Sequence, residues 1–338
     1  MHNLDVKILF RIIAVSLLAA FPMLTSGQTP YPKPYAETYA AEKPEPPPMF
    51  GGDTSEKSIV VDKNVNISLC VTQGNLKITG WNRNEVRVFV KDGSKFAFKV
   101  QETNKQNSPS WIMLNSLDAK KGKAPVSIEC IQGEEIEIDA PINAKVDIKG
   151  QETATTIDSM RVVKVRINGG DIVLRNIAEG VTATTFEGDV TVDESQGSMS
   201  LETTTGNIIV FEAGPSQTGD IFKAKTNSGN IAMNRLDFRQ VDANSISGSV
   251  SYNGAILTNG TYGLSTSNGS IRLAIPATSS CQVIATSGFG TFNSEIPIKM
   301  ETENIEEGPV KRVVGKMGTG GATLKLTTNS GSIVIKKQ

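Results

Sequence analysis

The chain has 338 residues, with 34 basic and 35 acidic side chains for a formal net charge of −1, so no global field draws it to nucleic acid or to an acidic membrane. The length admits two or three domains or one elongated β unit. Thirty-one glycines and only 6% aromatics, amid abundant Thr, Ser and Asn, favour short strands and turns over helices and predict an all-β chain.

Residues 1–27 read as a signal peptide. Lys7 and Arg11 precede the apolar run from Ile12 to Leu24, and Thr25, Ser26 and Gly27 supply the small residues a signal peptidase needs. The run is short of the roughly 20 residues a span requires and contains Pro22, so no stable transmembrane span is expected after cleavage. Export to the periplasm, cell surface or medium follows. Residues 28–58 are proline-rich and read as an extended, semi-rigid linker carrying Tyr31, Tyr35 and Tyr39.

From residue 59 to 338 one pattern recurs: glycine, a small polar residue, then alternating aliphatics. It appears at Gly74, Gly170, Gly188, Gly206, Gly229, Gly248, Gly269 and Gly331, and from Gly170 to Gly269 the intervals are 18, 18, 23, 19 and 21 residues. Self-similarity near 20 residues marks a solenoid whose units bury their apolar face only by stacking. The fold expected is therefore a β-solenoid, β-helix-like, with Gly/Asn/Asp corners. A glycine can take the positive φ a corner demands, and the polar residue beside it can satisfy turn backbone. Alternation after the corner sends pairs such as Ile208 and Val210 inward, while Thr, Ser and charged residues form outward ladders. Two stretches break the rhythm: residues 96–123, read as an inserted hairpin, and an excursion between Pro297 and Gly321.

Candidate chemistry is sparse. The single histidine is His2, inside the expected signal, which excludes His-dependent catalytic triads and His-ligated metals from the remainder. Asp171, Asp189 and Asp220 follow glycines where Asn or Ser stands elsewhere, an interchange a turn tolerates and a catalyst does not. Glu135, Glu137 and Asp139 form an acidic row, with Lys145, Lys149, Lys164 and Arg166 in the following strands. The row could serve acid/base chemistry or cross-strand ion pairing. Trp81 and Trp111 could offer a sugar platform or cap the core. Glu135, Glu137, Trp81 and Trp111 together make the candidate binding surface. No cofactor motif is present. Cys70 and Cys130 occupy similar strand-before-corner contexts, and a bridge between them is expected if the 96–123 hairpin is looped out; buried free thiols are the alternative, and Cys281 is expected to stay free.

The stretches GNLKITGWNRNEVRV (Gly74 to Val88), IEIDAPINAKVDIKG (Ile136 to Gly150), GSIRLAIPATSSCQVIATSGFGTFNSEIPI (Gly269 to Ile298) and GTGGATLKLTTNSGSIVI (Gly318 to Ile335) resemble the bacterial putative-adhesin family of unknown function, related to head GIN-domain proteins. The resemblance covers most of residues 59–338 and implies an exported β-solenoid of the cell envelope; it supplies no catalytic residues. The function expected is a non-catalytic scaffold or adhesin-like protein that contacts envelope glycan or a surface protein. A carbohydrate-active β-helix enzyme and an accessory of envelope signalling are the alternatives.

Overall fold

A computed structural model of the chain describes residues 54–100, 108–117, 130–305 and 310–338, all within the compact unit Phe50–Gln338. The expected signal peptide and nearly all of the linker lie outside the described residues. Among the described residues every regular element is a strand. The first six are β1 (Ser55–Val60), β2 (Asn66–Trp81), β3 (Glu85–Lys91), β4 (Phe96–Val100), β5 (Trp111–Ser116) and β6 (Ile131–Pro141). The long β7 (Lys145–Asp158) is followed by pairs, one per coil: β8 (Val162–Gly169) and β9 (Ile172–Arg175), β10 (Gly180–Glu187) and β11 (Val190–Gln196), β12 (Ser198–Thr205) and β13 (Ile208–Gly214), β14 (Phe222–Ser228) and β15 (Ile231–Leu236), β16 (Gln240–Ser247) and β17 (Val250–Asn253), β18 (Thr261–Asn268) and β19 (Ile271–Ile275). The last are β20 (Cys281–Phe289), β21 (Phe292–Ser294), β22 (Lys299–Ile305), β23 (Lys311–Met317), β24 (Thr323–Ser330) and β25 (Ile333–Lys337).

The first strand of each pair stacks in parallel on the first strand of its neighbour, and the second on the second, so two parallel ribbons run side by side. β2 and β7 are long enough to belong to both ribbons, bending near the corner. Period-two alternation places the core between the ribbons: in β12, Met199, Leu201 and Thr203 are buried while Ser198, Ser200 and Glu202 face water. A solenoid of about 20-residue coils is therefore the architecture, as the glycine spacing predicts.

The corners are tighter than positive φ alone requires. A Cβ on Gly206 would lie 2.0 Å from the carbonyl oxygen of Gly188, one on Gly229 1.9 Å from that of Gly206, and one on Gly248 2.0 Å from that of Gly229. Gly269 meets the Gly248 oxygen at 2.1 Å without needing a left-handed backbone, so the close approach, and not φ, is common to the column. Because each glycine sits on the carbonyl of the coil before it, that oxygen has no backbone N–H aimed at it. A buried hydroxyl three residues before the next glycine donates instead: Thr203 to Gly188 at 2.9 Å, Thr226 to Gly206 at 2.9 Å, Ser245 to Gly229 at 2.8 Å, Thr266 to Gly248 at 2.7 Å and Thr328 to Gly269 at 2.8 Å. These Thr and Ser side chains face the core, a correction to their reading as outward ladders; a hydroxyl is tolerated there because a buried acceptor awaits it.

Order along the rod departs from order along the chain at both ends. β2 lies between β7 on one side and β5 with β6 on the other. At the far end the C-terminal coil, β24 and β25, lies between β18 and β19 on one side and β20 and β21 on the other. Antiparallel strands then close the ribbons: β4 on β5, β3 and β1 outside β6, and β23 and β22 outside β20.

The fold resolves three expectations. The stretch 96–123 does contain the expected hairpin, β4 antiparallel to β5, but it is not looped out, because β5 stacks on β2 and Phe96, Ile112 and Leu114 are fully buried in the core; residues 101–107 and 118–129 lie outside the described residues. β1 pairs with β3 along Ser55–Val60, so ordered structure begins before the expected boundary at residue 59. The excursion after Pro297 supplies the capping strands β22 and β23.

Substituting Gly206 by Ala is expected to lower stability by about 3 kcal/mol or more, since backbone must move to admit the methyl group. Gly263→Ala, whose Cβ would meet nothing closer than 3.6 Å, should stay within about 0.5 kcal/mol of wild type. Parallel urea titrations of the two variants measure the contrast.

Candidate functional site

The polar residue after each corner glycine forms a second column. The side-chain oxygen of Asp171 accepts from the backbone N–H of Asp189 (2.8 Å), that of Asp189 from Asn207 (2.7 Å), Asn207 from Asn230 (2.9 Å) and Asn230 from Ser249 (2.8 Å). Longer bonds continue through Ser249 to Ser270, Ser270 to Ser332 and Ser332 to Thr291. The inserted C-terminal coil thus occupies its proper rung. Asp171 and Asp189 thus bond the backbone of the next coil. Asp220 is not in this column: burial pushes its carboxyl up, but hydrogen bonds from Gln217, Ser198 and Ser216 outweigh that and hold it below the usual range, tying down the loop before β14.

The acidic row lies on β6, where antiparallel β3 and parallel β2 flank it. Arg87 contacts Asp139 at 2.8 Å, Glu56 at 3.1 Å and Glu137 at 4.0 Å, and Lys77 reaches Glu137 at 3.9 Å. Hydrogen bonds to Asp139 and Glu56 raise the Arg87 guanidinium further above its ordinary value. Glu135 stands opposite Lys91 in the register. The cations of the sequence reading, Lys145, Lys149, Lys164 and Arg166, sit on the other ribbon, in β7 and β8, so they do not neutralise this row; chain proximity hides the fact that β6 and the first half of β7 face different sides.

Trp81 ends β2 beside Pro141, donates its indole N–H to the Glu85 carbonyl at 2.8 Å, and carries Arg83 over its ring at 4.9 Å. Trp111 begins β5, paired in register with Asn66. Both are half-buried, and among the described residues no ring contact joins them. The four candidate surface residues therefore divide: Glu135 and Glu137 share a strand face, Trp81 marks the end of the neighbouring strand, and Trp111 belongs to the other ribbon.

A groove of about 470 Å³ opens at the opposite corner, lined by Glu194, Gln196, Glu212, Gly214, Pro215, Arg235 and Asp237. Three of these stack through consecutive coils with left-handed backbone: Glu194 (φ 46°), Glu212 (φ 48°) and Arg235 (φ 56°). Such residues are costly outside Gly and Asn, roughly 1 kcal/mol or more each. Glu212 and Arg235 form an ion pair, and Phe211, 40% exposed, lies one residue before Glu212. The sequence carried no sign of this groove, since these side chains are ordinary surface types whose conformation only the stacking imposes.

Cys70 and Cys130 form a disulfide joining β2 to the residue before β6, with Cα atoms 4.4 Å apart. Cys281 is free and buried, its sulfur 4.0 Å from that of Met317, and burial pushes its thiol up to about 11.

These features define an all-β, two-ribbon parallel solenoid with glycine corners. The Toastrack DUF4097 family model matches residues 52–336, and the chain belongs to that family. Among solved structures, it is similar to a "putative cell adhesion protein" from Clostridium sporogenes (11% identity, covering 85% of this chain and 100% of that one, TM-score 0.25). It is also similar to a "putative adhesin" from Parabacteroides distasonis (10%, 85% and 98%, 0.38) and one from Bacteroides fragilis (17%, 85% and 97%, 0.31). No curated protein matches the sequence.

In the oxidised, denatured protein one thiol should react with maleimide, rising to three after reduction; three before reduction would refute the bridge. In the native protein Cys281 should resist labelling at neutral pH. Its raised pKa also sets a sign: the unfolded thiol ionises near 9.0 and the buried one only near 11, so stability present below 9 should fall as pH rises between them. Thermal denaturation across that interval should show a flatter decline for Cys281→Ala.

Proposed function

We propose that the protein is an exported, non-catalytic binding scaffold of the bacterial envelope, contacting glycan through shallow, repeated contacts along a rigid rod. The observation that carries this reading is the open polar groove lined by Gln196, Glu212, Arg235 and Asp237, with the exposed Phe211 one residue before Glu212 in β13. Polar groups on an open surface with an exposed aromatic residue near them in the chain suit a sugar, which presents both C–H faces and hydroxyls. The face of β6 bearing Glu135 and Glu137, with Trp81 at the end of the neighbouring β2, offers a second patch, and Trp111 on the other ribbon lies apart from it. The Cys70–Cys130 disulfide supports export, because such bridges persist in oxidising compartments. The carboxylates that best suited acid/base work, Glu137 and Asp139, are engaged by Arg87 and Lys77, which favours a structural role.

A glycan array and a pull-down from bacterial envelope extract test the proposal. Wild type should retain a glycan, and Phe211→Ala should weaken that binding at least tenfold without altering the β circular-dichroism signal. Turnover of a polysaccharide, abolished by Glu135→Gln or Glu137→Gln, would replace the scaffold with a carbohydrate-active enzyme.

A further inference from the structure

Both ends of the rod contain a coil inserted between two others, but they are secured differently. At the N-terminal end, inserted β2 is joined covalently to the preceding level by Cys70–Cys130. At the C-terminal end, inserted β24 and β25 have no such link; the nearby cysteine, Cys281, is free and faces Met317.

The inserted C-terminal coil is a complete repeat. Leu324, Leu326, Ile333 and Ile335 are fully buried, Thr328 donates to Gly269, and Ser332 accepts from Thr291. Its backbone pairs on both sides, with β18 and β19 and with β20 and β21. Withdrawn, it would leave a cleft with four unpaired strand edges lined by apolar side chains. That cleft selects its occupant by shape: a Cβ on Gly331 would lie 2.0 Å from the Gly269 oxygen, and one on Gly290 2.0 Å from the Gly331 oxygen. Only a strand–glycine corner–strand segment in this register fits.

The connection into the cleft is short and sharply turned. Between Met317 and Thr323, Gly318 (φ 56°), Gly320 (φ 86°) and Gly321 (φ 119°) all occupy the left-handed region. Straightened, this segment would carry the coil away from its own body, and short, tightly turned hinges favour exchange between chains.

We propose that the cleft between residues 261–275 and 281–294 is a strand-acceptor site for the C-terminal coil of a second copy of this chain, so that two copies exchange residues 323–337 and form a dimer. The exchange restores every pairing of the monomer, with Gly318–Gly321 as the hinge. Intramolecular closure has an effective concentration near the millimolar range, so dimer yield rises with protein concentration. The proposal stands independently of what the rod binds.

The test uses full-length chains. Arg272 and Val334 are register partners across the cleft, on the outward face. Arg272→Cys and Val334→Cys chains, differently tagged, are refolded together at rising concentration with the native disulfide intact and treated with a short bismaleimide. A cross-linked heterodimer is expected from the mixture and not from either chain alone, and inserting four residues into 318–321 should lower its yield at least tenfold. Ser265→Cys with Thr327→Cys, partners on the other ribbon, repeats the test should the first pair fold poorly. The double variant Arg272→Cys/Val334→Cys, refolded dilute, should cross-link within one chain. Internal cross-linking of that variant without any heterodimer in the mixtures would overturn the proposal.

Discussion

Each corner glycine rests on the carbonyl oxygen of the corner before it, and this contact sets the spacing and register of the coils. No side chain can stand there, and an oxygen so covered needs a donor other than the next backbone. The buried Thr or Ser three residues before the next glycine supplies it, and the Asp, Asn or Ser just after the glycine satisfies the following coil's N–H. Three positions in each repeat are thus chosen by the neighbouring coil. An error at one rung disturbs the rung beside it, in keeping with the nearest-neighbour character of solenoids.

The ends show how such a rod is finished. A stack of parallel strands leaves open edges, which invite association. Here antiparallel strands cover them, and at each end the chain doubles back to insert one coil beneath the last. The N-terminal insertion is closed by a disulfide and the C-terminal one by hydrogen bonds and packing alone. That difference makes the two ends chemically unequal although their topology is alike.

A rod of this kind offers surface more than enclosure. In the acidic row, which looked most like catalytic chemistry, Glu137 and Asp139 are held in ion pairs by Arg87 and Lys77, and Asp171 and Asp189 after the corner glycines are rungs of a backbone ladder. The groove at the second corner is different in kind, because Glu194, Glu212 and Arg235 adopt strained backbone there, and Phe211, the residue before Glu212, is exposed. Family membership agrees with the architecture and carries no ligand.

The amino-acid sequence by itself determined the strands, the corners and the inward aliphatics, because period-two alternation and recurrent glycines are local signals. The Thr or Ser three residues before most corner glycines was also legible as a spacing, although its burial was not, since a hydroxyl reads as surface until the carbonyl it serves is placed. Only the tertiary structure decided that Gly331 lies between Gly269 and Gly290, that Trp111 belongs to a core strand, and that Arg87 is the partner of Asp139. Those facts depend on which strand lies beside which. A repeat whose units share one shape fits the stack at many levels by local criteria, and the order is resolved by the reach of the connections, the caps and the disulfide.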